Sequence, residues 1–328
     1  MTDPQIISHS SLQSLSAQVA GHEAGVQTLC DGAFVIKTCK RAEADFYQAA
    51  IAGASSSLDE VRTYFPTFHG TVEIREEGVG EVKQAVILEN LTRTFERPNV
   101  LDVKLGQQLW DESASAEKRK RMEEASEHTT SGQLGLRLTG WQCWDERLGR
   151  FSQMTKKFGK SIKGPEEVAL GLRLFMGRPA GGDAVKVKSI MAEEAPVSLP
   201  QLDADLTRKV IEQHILTALD NVITLVSQLE WRVRGGSVLI IYEGDTDTLR
   251  SCLACPSPSP PPPGRRAGQR DDIVDVHLPP APAHLPRKRA VDIRLIDFAH
   301  VSLTPGQGPD SGYLLGLRNI RQLFADLL

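Results

Sequence analysis

Several features that mark whole classes of protein are absent from this sequence. Its 328 residues contain no apolar run that approaches the roughly 18 residues of a membrane-spanning helix. Lys and Arg number 38 against 42 Asp and Glu, a formal net charge of −4, so the basic excess typical of a nucleic-acid-binding protein is missing. We therefore expect no membrane span and no direct binding of nucleic acid.

Cysteine is also scarce, and its distribution does not suggest a disulfide framework. The cysteines are odd in number and scattered: Cys30, Cys39, Cys143, Cys252 and Cys255. That pattern is typical of free thiols in a reducing compartment. The first residues lack the basic, apolar and small-residue progression of a secretory signal, so we expect a soluble intracellular protein.

The common nucleotide-binding signatures are missing too. No Gly-x-x-x-x-Gly-Lys-Ser/Thr segment occurs, which argues against a P-loop NTPase. Neither Gly-x-Gly-x-x-Gly nor His-Arg-Asp occurs, which excludes an ordinary protein kinase. Proline, by contrast, is concentrated between residues 251 and 290, a stretch that cannot sustain a helix or an interior strand. We interpret 251–290 as a disordered surface insertion in a folded domain.

Periodicity and turn signals predict a strand-rich first part and a more helical remainder. Apolar runs and alternation predict strands at 33–37 (the second strand of a hairpin), 84–90, 237–242 and 291–297. Helix formers and apolar stripes predict helices at 42–51, 114–127, 165–176 and 203–233.

Two local pairings combine a lysine with a carboxylate. Lys37 closes an apolar strand six positions before Glu43 on the next helix, and in kinase-like small lobes such a pair holds ATP phosphates. Asp102 and Lys104 are two positions apart, so on an extended segment both leave the same face and can hold a hydroxyl and a phosphate together. Each pair can equally be a solvated surface ion pair.

Two further features are a late strand end and a basic helix. Asp297 follows an apolar strand and precedes Phe298, like the metal-holding Asp-Phe-Gly of protein kinases; the alternative is an aspartate that ends the strand in a turn. Residues 118–121 read Lys-Arg-Lys-Arg on the helix 114–127. They face either a polyphosphate or glutamates four positions away on an exposed helix.

The order of these features resembles the inositol polyphosphate kinase family. The family's Pro-x-x-x-Asp-x-Lys-x-Gly signature is matched from Pro98 to Gly106, and its Ile-Asp-Phe-Ala-His from Ile296 to His300. Its Ser-Ser-Leu-Leu segment occurs as Gly-Ser-Val-Leu at 236–239, with two mild departures. The resemblance runs from about residue 18 to the end, without the proline-rich insertion. Within the family, the short segment 107–131 is most similar to that of fungal multikinases.

The resemblance implies an α+β, two-lobed, protein-kinase-like fold with ATP in the cleft between the lobes. Residues 1–97 would form a β-rich N-terminal lobe with a hinge near 89–91. Residues 98–328 would form an α+β C-terminal lobe that contains the inositol-phosphate-binding segment 107–131 and the insertion 251–290.

The resemblance also implies roles for individual residues. Asp102 and Lys104 would be catalytic, and Asp297 would hold Mg²⁺. The residues that would bind ATP are Lys37, Glu43, Glu89, Asn90, Leu91, Asp102 and Asp297. Those that would bind the inositol phosphate are Lys104, Lys118, Arg119, Arg121, Lys160 and His300. No residue stands out as a general base.

The implied activity is ATP- and Mg²⁺-dependent phosphorylation of inositol tris- and tetrakisphosphates on ring hydroxyls, extending to the lipid phosphatidylinositol bisphosphate. One alternative is an inositol hexakisphosphate kinase that makes pyrophosphates. Another is a catalytically idle scaffold or transcriptional partner, which the insertion and the basic residues 287–289 support. Those basic residues also suggest a location in the nucleus as well as the cytoplasm.

Overall fold

A computed structural model describes residues 6–8, 12–14, 26–29, 32–52, 58–75, 82–154, 159, 161–181, 183, 202–254 and 287–328. Its strands are β1 (Ile6–Ser8), β2 (Gln13–Ser14), β3 (Val26–Leu29), β4 (Phe34–Thr38), β5 (Phe68–Arg75), β6 (Val82–Glu89), β7 (Pro98–Leu105), β8 (Leu136–Asp145), β9 (Arg150–Met154), β10 (Trp231–Val233), β11 (Ser237–Glu243), β12 (Val291–Ile296) and β13 (Val301–Leu303). Its α-helices are α1 (Arg41–Ile51), α2 (Ala116–Glu127), α3 (Thr130–Leu134), α4 (Pro165–Phe175), α5 (Ala204–Lys209), α6 (Thr217–Val226), α7 (Thr246–Ala254) and α8 (Ser311–Ala325). No helix in these ranges is long and apolar enough to cross a membrane.

The strands form two main sheets, one from each part of the chain. The N-terminal sheet has the order β1-β5-β6-β4-β3-β2 and the C-terminal sheet the order β12-β11-β7-β8-β9. A two-stranded pair, β10 with β13, completes the set. The predicted hairpin is confirmed, because β3 and β4 pair antiparallel. The predicted strands at 84–90, 237–242 and 291–297 correspond to β6, β11 and β12.

Helix starts follow local capping signals. Ser115 caps α2, and its side chain accepts a hydrogen bond from the Lys118 backbone N–H, so the helix begins two residues after the predicted start. Asp310 caps α8 in the same way through Tyr313 N–H. α1 and α4 lie where the sequence predicts them.

Two predicted boundaries are wrong. The helix 203–233 ends at Val226 after a π-helical segment (Val210–Leu216), and Trp231–Val233 is a strand instead, because it pairs with β13 some seventy residues later in the chain. The insertion 251–290 is too wide: residues up to Ala254 belong to α7, and the Arg289 N–H donates to the Thr94 carbonyl. Residues 255–286 lie outside the described residues.

A shared aromatic cluster joins the two parts of the chain next to the end of β12. The Phe298 ring lies 4.6 Å from that of Phe46 on α1 and 4.5 Å from that of Phe65, measured between centroids. Phe298 is fully buried. Such burial stabilises the fold by about 1.5–3 kcal/mol per large apolar side chain. Because Phe298 directly follows Asp297, its burial also fixes the chain next to Asp297.

A buried arginine makes a second connection between the sheets. Arg294 on β12 donates to the backbone carbonyls of Thr63 and Phe65, and its guanidinium lies 3.1 Å from the Glu89 carboxylate at the end of β6. Asp292 accepts a further hydrogen bond from Arg294 at 2.9 Å. Since an unpaired buried charge is costly, this network holds the end of β6 in a defined place against the C-terminal sheet.

Candidate active site

A cavity of about 570 Å³ is lined by residues from both parts of the chain. Six cationic side chains and two carboxylates are among its lining residues: Lys37, Lys40, Lys83, Lys104, Lys118 and Arg234, with Glu43 and Asp297. His300 lines it as well. On a chain whose net charge is −4, this local excess of positive charge suits a polyanionic ligand.

Lys37, on the N-terminal sheet, contacts two carboxylates, one on α1 and one directly after β12. Its Nζ lies 2.7 Å from Oε1 of Glu43 on α1 and 2.5 Å from Oδ1 of Asp297 after β12. Burial disfavours the ammonium, but the charges of Asp297 and Glu43 outweigh that effect and raise the pKa of Lys37 above its ordinary value. Glu43 is itself buried and also accepts a hydrogen bond from the Phe298 N–H. The lysine is therefore a fixed, permanent cation.

Asp297 has an uncommon backbone conformation. Its φ is +65°, the one positive φ found outside glycine in the described residues. Aspartate tolerates this left-handed region better than most residues, yet it remains a strained state that surrounding structure must hold. The neighbouring Phe298 in the aromatic cluster supplies that restraint, and the carboxylate remains 40% exposed towards the cavity.

Asp102 and Lys104 occupy the central strand of the C-terminal sheet. β7 pairs with β11 on one side and β8 on the other, with a bulge between Asp102 and Val103. Lys104 reaches the turn before β11, where Gly235 has φ +75° and a Cβ would lie 3.1 Å from the Lys104 Nζ. Only glycine combines that φ with the space that the lysine needs.

The Asp102 carboxyl is buried and incompletely satisfied. Its Oδ1 has no hydrogen-bond partner among the described residues. Burial first, and then the charge of Asp297, raise the pKa of Asp102 to about 6 from 3.8. A buried carboxyl with an open oxygen destabilises the ligand-free protein, a feature typical of functional sites.

We therefore expect Asp102→Asn to stabilise the ligand-free protein at pH 7. Because the pKa of Asp102 is raised in the folded state, the folded protein binds more protons at this carboxyl than the unfolded protein does. The contribution of Asp102 to the free energy of unfolding therefore falls as the pH rises from about 4 to 6. Removing the charge should add about 1–3 kcal/mol to the free energy of unfolding at pH 7 and flatten the profile between pH 4 and 6. Urea unfolding of both proteins across this range checks it. An asparagine variant that is less stable at pH 7 would contradict the prediction.

His300 lines the cavity next to the segment 107–118, whose Asp111 it contacts. Its Nδ1 lies 3.0 Å from Oδ2 of Asp111, and its Nε2 3.4 Å from Nζ of Lys40. Burial and the positive charge of Lys40 lower the pKa of His300, so the ring is neutral at pH 7. Asp111 also contacts Lys118 at 3.5 Å. The hydroxyl of Ser113 is the main reason that the pKa of Asp111 falls to about 2.

The structure brings most of the predicted site residues together, but not all. Lys37, Glu43, Lys104, Lys118, Asp297 and His300 line the cavity, and Asp102 lies behind it, close enough to feel the charge of Asp297. Arg119 turns away: its guanidinium lies 4.7 Å from the Trp110 ring and donates to the Ala114 and Glu112 carbonyls. Arg121 is exposed on α2 and is not among the lining residues. Lys160 lies outside the described residues.

The predicted hinge residues connect the sheets at a distance from this cavity. Glu89 ends β6, and the Asn90 side chain caps the 3₁₀ helix Leu91–Thr94 by accepting from Thr92 N–H and donates to the Gly32 carbonyl. None of these residues lines the cavity. Their contact with ATP stays a prediction.

Sequence reasoning missed four residues of the site. Lys40, Lys83 and Arg234 line the cavity, and Asp111 orients two of its side chains. Only Arg234 carried a signal, since it directly precedes the Gly235-Gly236 turn before β11. The others belong to different elements and meet only in the folded chain.

A divalent cation fits this donor set when the nucleotide completes its shell. No three His, Cys, Asp or Glu side chains of the described ranges converge on one metal position. Asp297 offers an exposed carboxylate, and Asp102 has a buried oxygen without a partner nearby. Mg²⁺ and similar hard cations bind through one or two carboxylates with phosphate oxygens and water.

Comparison with known proteins identifies relatives that are kinases of inositol phosphates. The chain is 27% identical to the inositol polyphosphate multikinase of Saccharomyces cerevisiae, over 94% of this chain and 97% of that protein. It is 30% identical to human inositol hexakisphosphate kinase 1, over 72% of this chain and 50% of that protein. The crystal structure of the Saccharomyces cerevisiae inositol phosphate multikinase with ADP and Mn²⁺ aligns with a TM-score of 0.63 at 26% identity, covering 90% of this chain and 99% of that one.

The structural match confirms the predicted two-lobed, kinase-like α+β fold. The family model described as inositol polyphosphate kinase matches residues 85–325. That range includes β7 with Asp102 and Lys104, and the end of β12 with Asp297 and His300. The chain belongs to the inositol polyphosphate kinase family and is a kinase.

Proposed function

We propose that this protein is an inositol polyphosphate multikinase, which transfers the γ-phosphoryl group of ATP to ring hydroxyls of inositol tris- and tetrakisphosphates. The observation that carries the proposal is the cavity, which five further cationic side chains line together with the Lys37–Asp297 pair. Both reactants are polyanions, and phosphoryl transfer requires mainly their alignment and charge neutralisation. The near full-length similarity to a multikinase favours this activity over the alternatives.

The residues divide the work between the two reactants. Lys37, held by Glu43, binds the ATP phosphates, and Asp297 holds the metal, for which we propose Mg²⁺. When bound, the cation neutralises charge on the phosphates. Lys104 lies between the nucleotide and the acceptor and stabilises charge on the transferred group. The acceptor hydroxyl oxygen bonds to the γ-phosphorus as the bond from that phosphorus to the ADP oxygen breaks, and the hydroxyl proton is released to water.

The acceptor side of the cavity is the side lined by Lys118 and His300. The neutral His300 ring and the ammonium of Lys118 both contact Asp111, so one carboxylate holds them in place for a substrate phosphate. We include Arg119, Arg121 and Lys160 as further phosphate contacts. For Arg119 this requires its guanidinium to leave the Trp110 ring.

Three finer points belong to the same proposal. We infer that phosphatidylinositol bisphosphate is a further substrate, since its headgroup carries the same phosphate monoesters as the soluble acceptor. We also propose a location in both nucleus and cytoplasm. Transcription-related protein partners would bind the proline-rich insertion and the basic residues 287–289, in line with the sequence.

A direct assay tests the proposed activity. Purified protein is incubated with ATP, Mg²⁺ and inositol 1,4,5-trisphosphate, with inositol hexakisphosphate in parallel, and the products are separated by anion-exchange chromatography. Formation of tetrakis- and pentakisphosphate is the expected result. Turnover of the hexakisphosphate alone would identify a pyrophosphate-forming kinase instead. Folded protein that binds ATP but converts neither substrate would favour the scaffold alternative.

A further inference from the structure

Arg234 is a buried cation at the edge of the substrate cavity. It follows β10 directly and lines the cavity together with Lys104, Lys118 and His300. Its side chain is only 9% exposed, and its backbone N–H donates to the His300 carbonyl at 2.9 Å. An arginine that is withdrawn from water yet borders a cavity needs acceptors for its five N–H groups.

One side of this guanidinium is firmly anchored. Nη1 donates to Oδ2 of Asp310 at 2.7 Å, and the same oxygen accepts from the Val233 N–H at 3.2 Å. The other oxygen of Asp310 caps α8 through the Tyr313 N–H. Because the carboxylate is held by a strand end and a helix start, the orientation of Arg234 is fixed before any ligand arrives.

The opposite edge of the guanidinium, formed by Nε and Nη2, is open in the sense that no described residue gives it a close acceptor. Nε is buried and has no acceptor in the described part of the chain. Nη2 lies 3.7 Å from Oε1 of Glu112, a side chain that is 67% exposed. This is longer than a hydrogen bond, so Glu112 satisfies the open edge only weakly.

Two other arginines of this protein show how that edge is normally occupied. Arg173 donates from Nε and Nη2 to both oxygens of Asp183, at 2.8 Å each. Arg321 binds Asp220 in the same two-pronged way, at 2.9 and 3.0 Å. Phosphate oxygens match this fork as well as carboxylate oxygens do, so the open edge of Arg234 has the geometry of a phosphate site.

Arg234 is also close along the chain to a residue that approaches Lys104, and both Arg234 and Lys104 line the cavity. Gly235 is the next residue, and a Cβ added to it would lie 3.1 Å from the Lys104 Nζ. We propose that the Nε–Nη2 edge of Arg234 binds a phosphate group of the inositol polyphosphate next to the hydroxyl that accepts the phosphoryl group, and that this phosphate displaces Glu112. The inference rests on the proposed function and adds a specificity residue to it.

Steady-state kinetics with Arg234→Met and Arg234→Lys test the proposal. Loss of a charge-assisted, two-pronged contact should raise KM for inositol 1,4,5-trisphosphate by about 10- to 100-fold, with KM for ATP unchanged. Arg234→Lys keeps a cation for Asp310 but lacks the second edge, so it should retain the thermal stability of wild type and still show the higher KM. A merely structural role would lower stability and leave KM unchanged in the lysine variant.

Glu112→Gln is the matched test from the other side of the contact, because the phosphate must displace this exposed side chain. It should lower KM for the trisphosphate about two- to fivefold, as expected for a weak exposed ion pair, and this gain should vanish in the Arg234→Met background. An equal gain in both backgrounds would show a general charge effect and overturn the proposal, as would an unchanged KM in a folded Arg234→Lys protein.

Wild-type turnover decides the proposed function separately from these comparisons. If wild type turns over no inositol polyphosphate, the proposed function fails, and titration calorimetry of inositol 1,4,5-trisphosphate then tests the site by itself. Binding that is weakened at least tenfold by Arg234→Lys would support the phosphate site. Equal binding by both proteins, or none by wild type, would overturn it.

Discussion

Asp297→Asn should lower kcat by about a thousandfold, the largest loss that we expect from any single substitution in this protein. The change removes one negative charge and keeps the size of the side chain. Asparagine also tolerates the left-handed backbone, with φ +65°, that the position requires. The loss would therefore come from the carboxylate alone and not from a disturbed backbone.

Folding should be nearly unaffected by this change. Asp297 is partly exposed, and Lys37 keeps its second partner, Glu43, at 2.7 Å. A half-exposed ion pair contributes about 1 kcal/mol or less, so thermal unfolding should shift little.

The measurements are kcat for the trisphosphate and binding of Mn²⁺ followed by electron paramagnetic resonance in the presence of ADP. We expect both to be strongly reduced in the variant. Asp45→Asn is the control, because this carboxylate on α1 is exposed and, within the described residues, forms an ion pair with Arg41 alone, at 3.7 Å. An Asp297→Asn protein that retains a tenth of wild-type kcat would rule out this carboxylate as the metal-holding group.

Lys104→Met should lower kcat by about 100- to 1,000-fold, the second largest effect. Its side chain lines the same cavity as the Lys37–Asp297 pair and His300. A charge that acts on the transferred group stabilises the transition state more than the bound substrates, so kcat should fall further than KM rises. Methionine preserves the length and the apolar stem of the lysine.

Lys104→Arg distinguishes charge from position. The turn at Gly235 approaches Lys104 so closely that the wider guanidinium cannot take the place of the ammonium. We expect the arginine variant to bind substrates nearly as well as wild type but to lose most of kcat. Lys209→Met, on α5 and paired with Asp205, is the inert control. Full activity of Lys104→Arg would show that only the net charge of the cavity matters.

Short-range patterns predicted which of the motif residues lie close together in the structure. Asp102 and Lys104 lie on one strand, Lys37 is the last residue but one of β4, and Glu43 follows on α1 six positions later. The end of β12 likewise supplies Asp297 and His300. In each case the spacing along one strand, or across one strand–helix connection, determines where the side chains point, and neighbouring residues of the sequence contain that information.

The wrong boundary at residue 233 has a physical cause. The apolar stripe of the predicted helix continues through Trp231 and Val233, and helical periodicity cannot distinguish a helix from a short buried strand there. The decisive interaction is the pairing of Trp231 with Leu303. Such non-local pairing overrides local propensity and leaves no trace in a window of neighbouring residues.

Arg119 shows the same limit for a side chain. Its place in a basic run predicted a phosphate contact, yet its guanidinium packs on the Trp110 ring and donates to carbonyls at the start of α2. Local basic composition does not decide direction, because the nearest favourable partner determines where a long side chain lies.

The sequence by itself therefore determined the family, the fold class and the motif residues that meet at the candidate site, because these depend on residue types at short, regular spacings. Only the tertiary structure decided which cations share the cavity. Lys40 precedes α1, Lys83 lies on β6 and Arg234 follows β10, and they line one cavity only because distant parts of the chain pack together. The open edge of Arg234 likewise depends on Asp310, which lies 76 residues further along the chain. Long-range packing places these charges, and no local pattern records it.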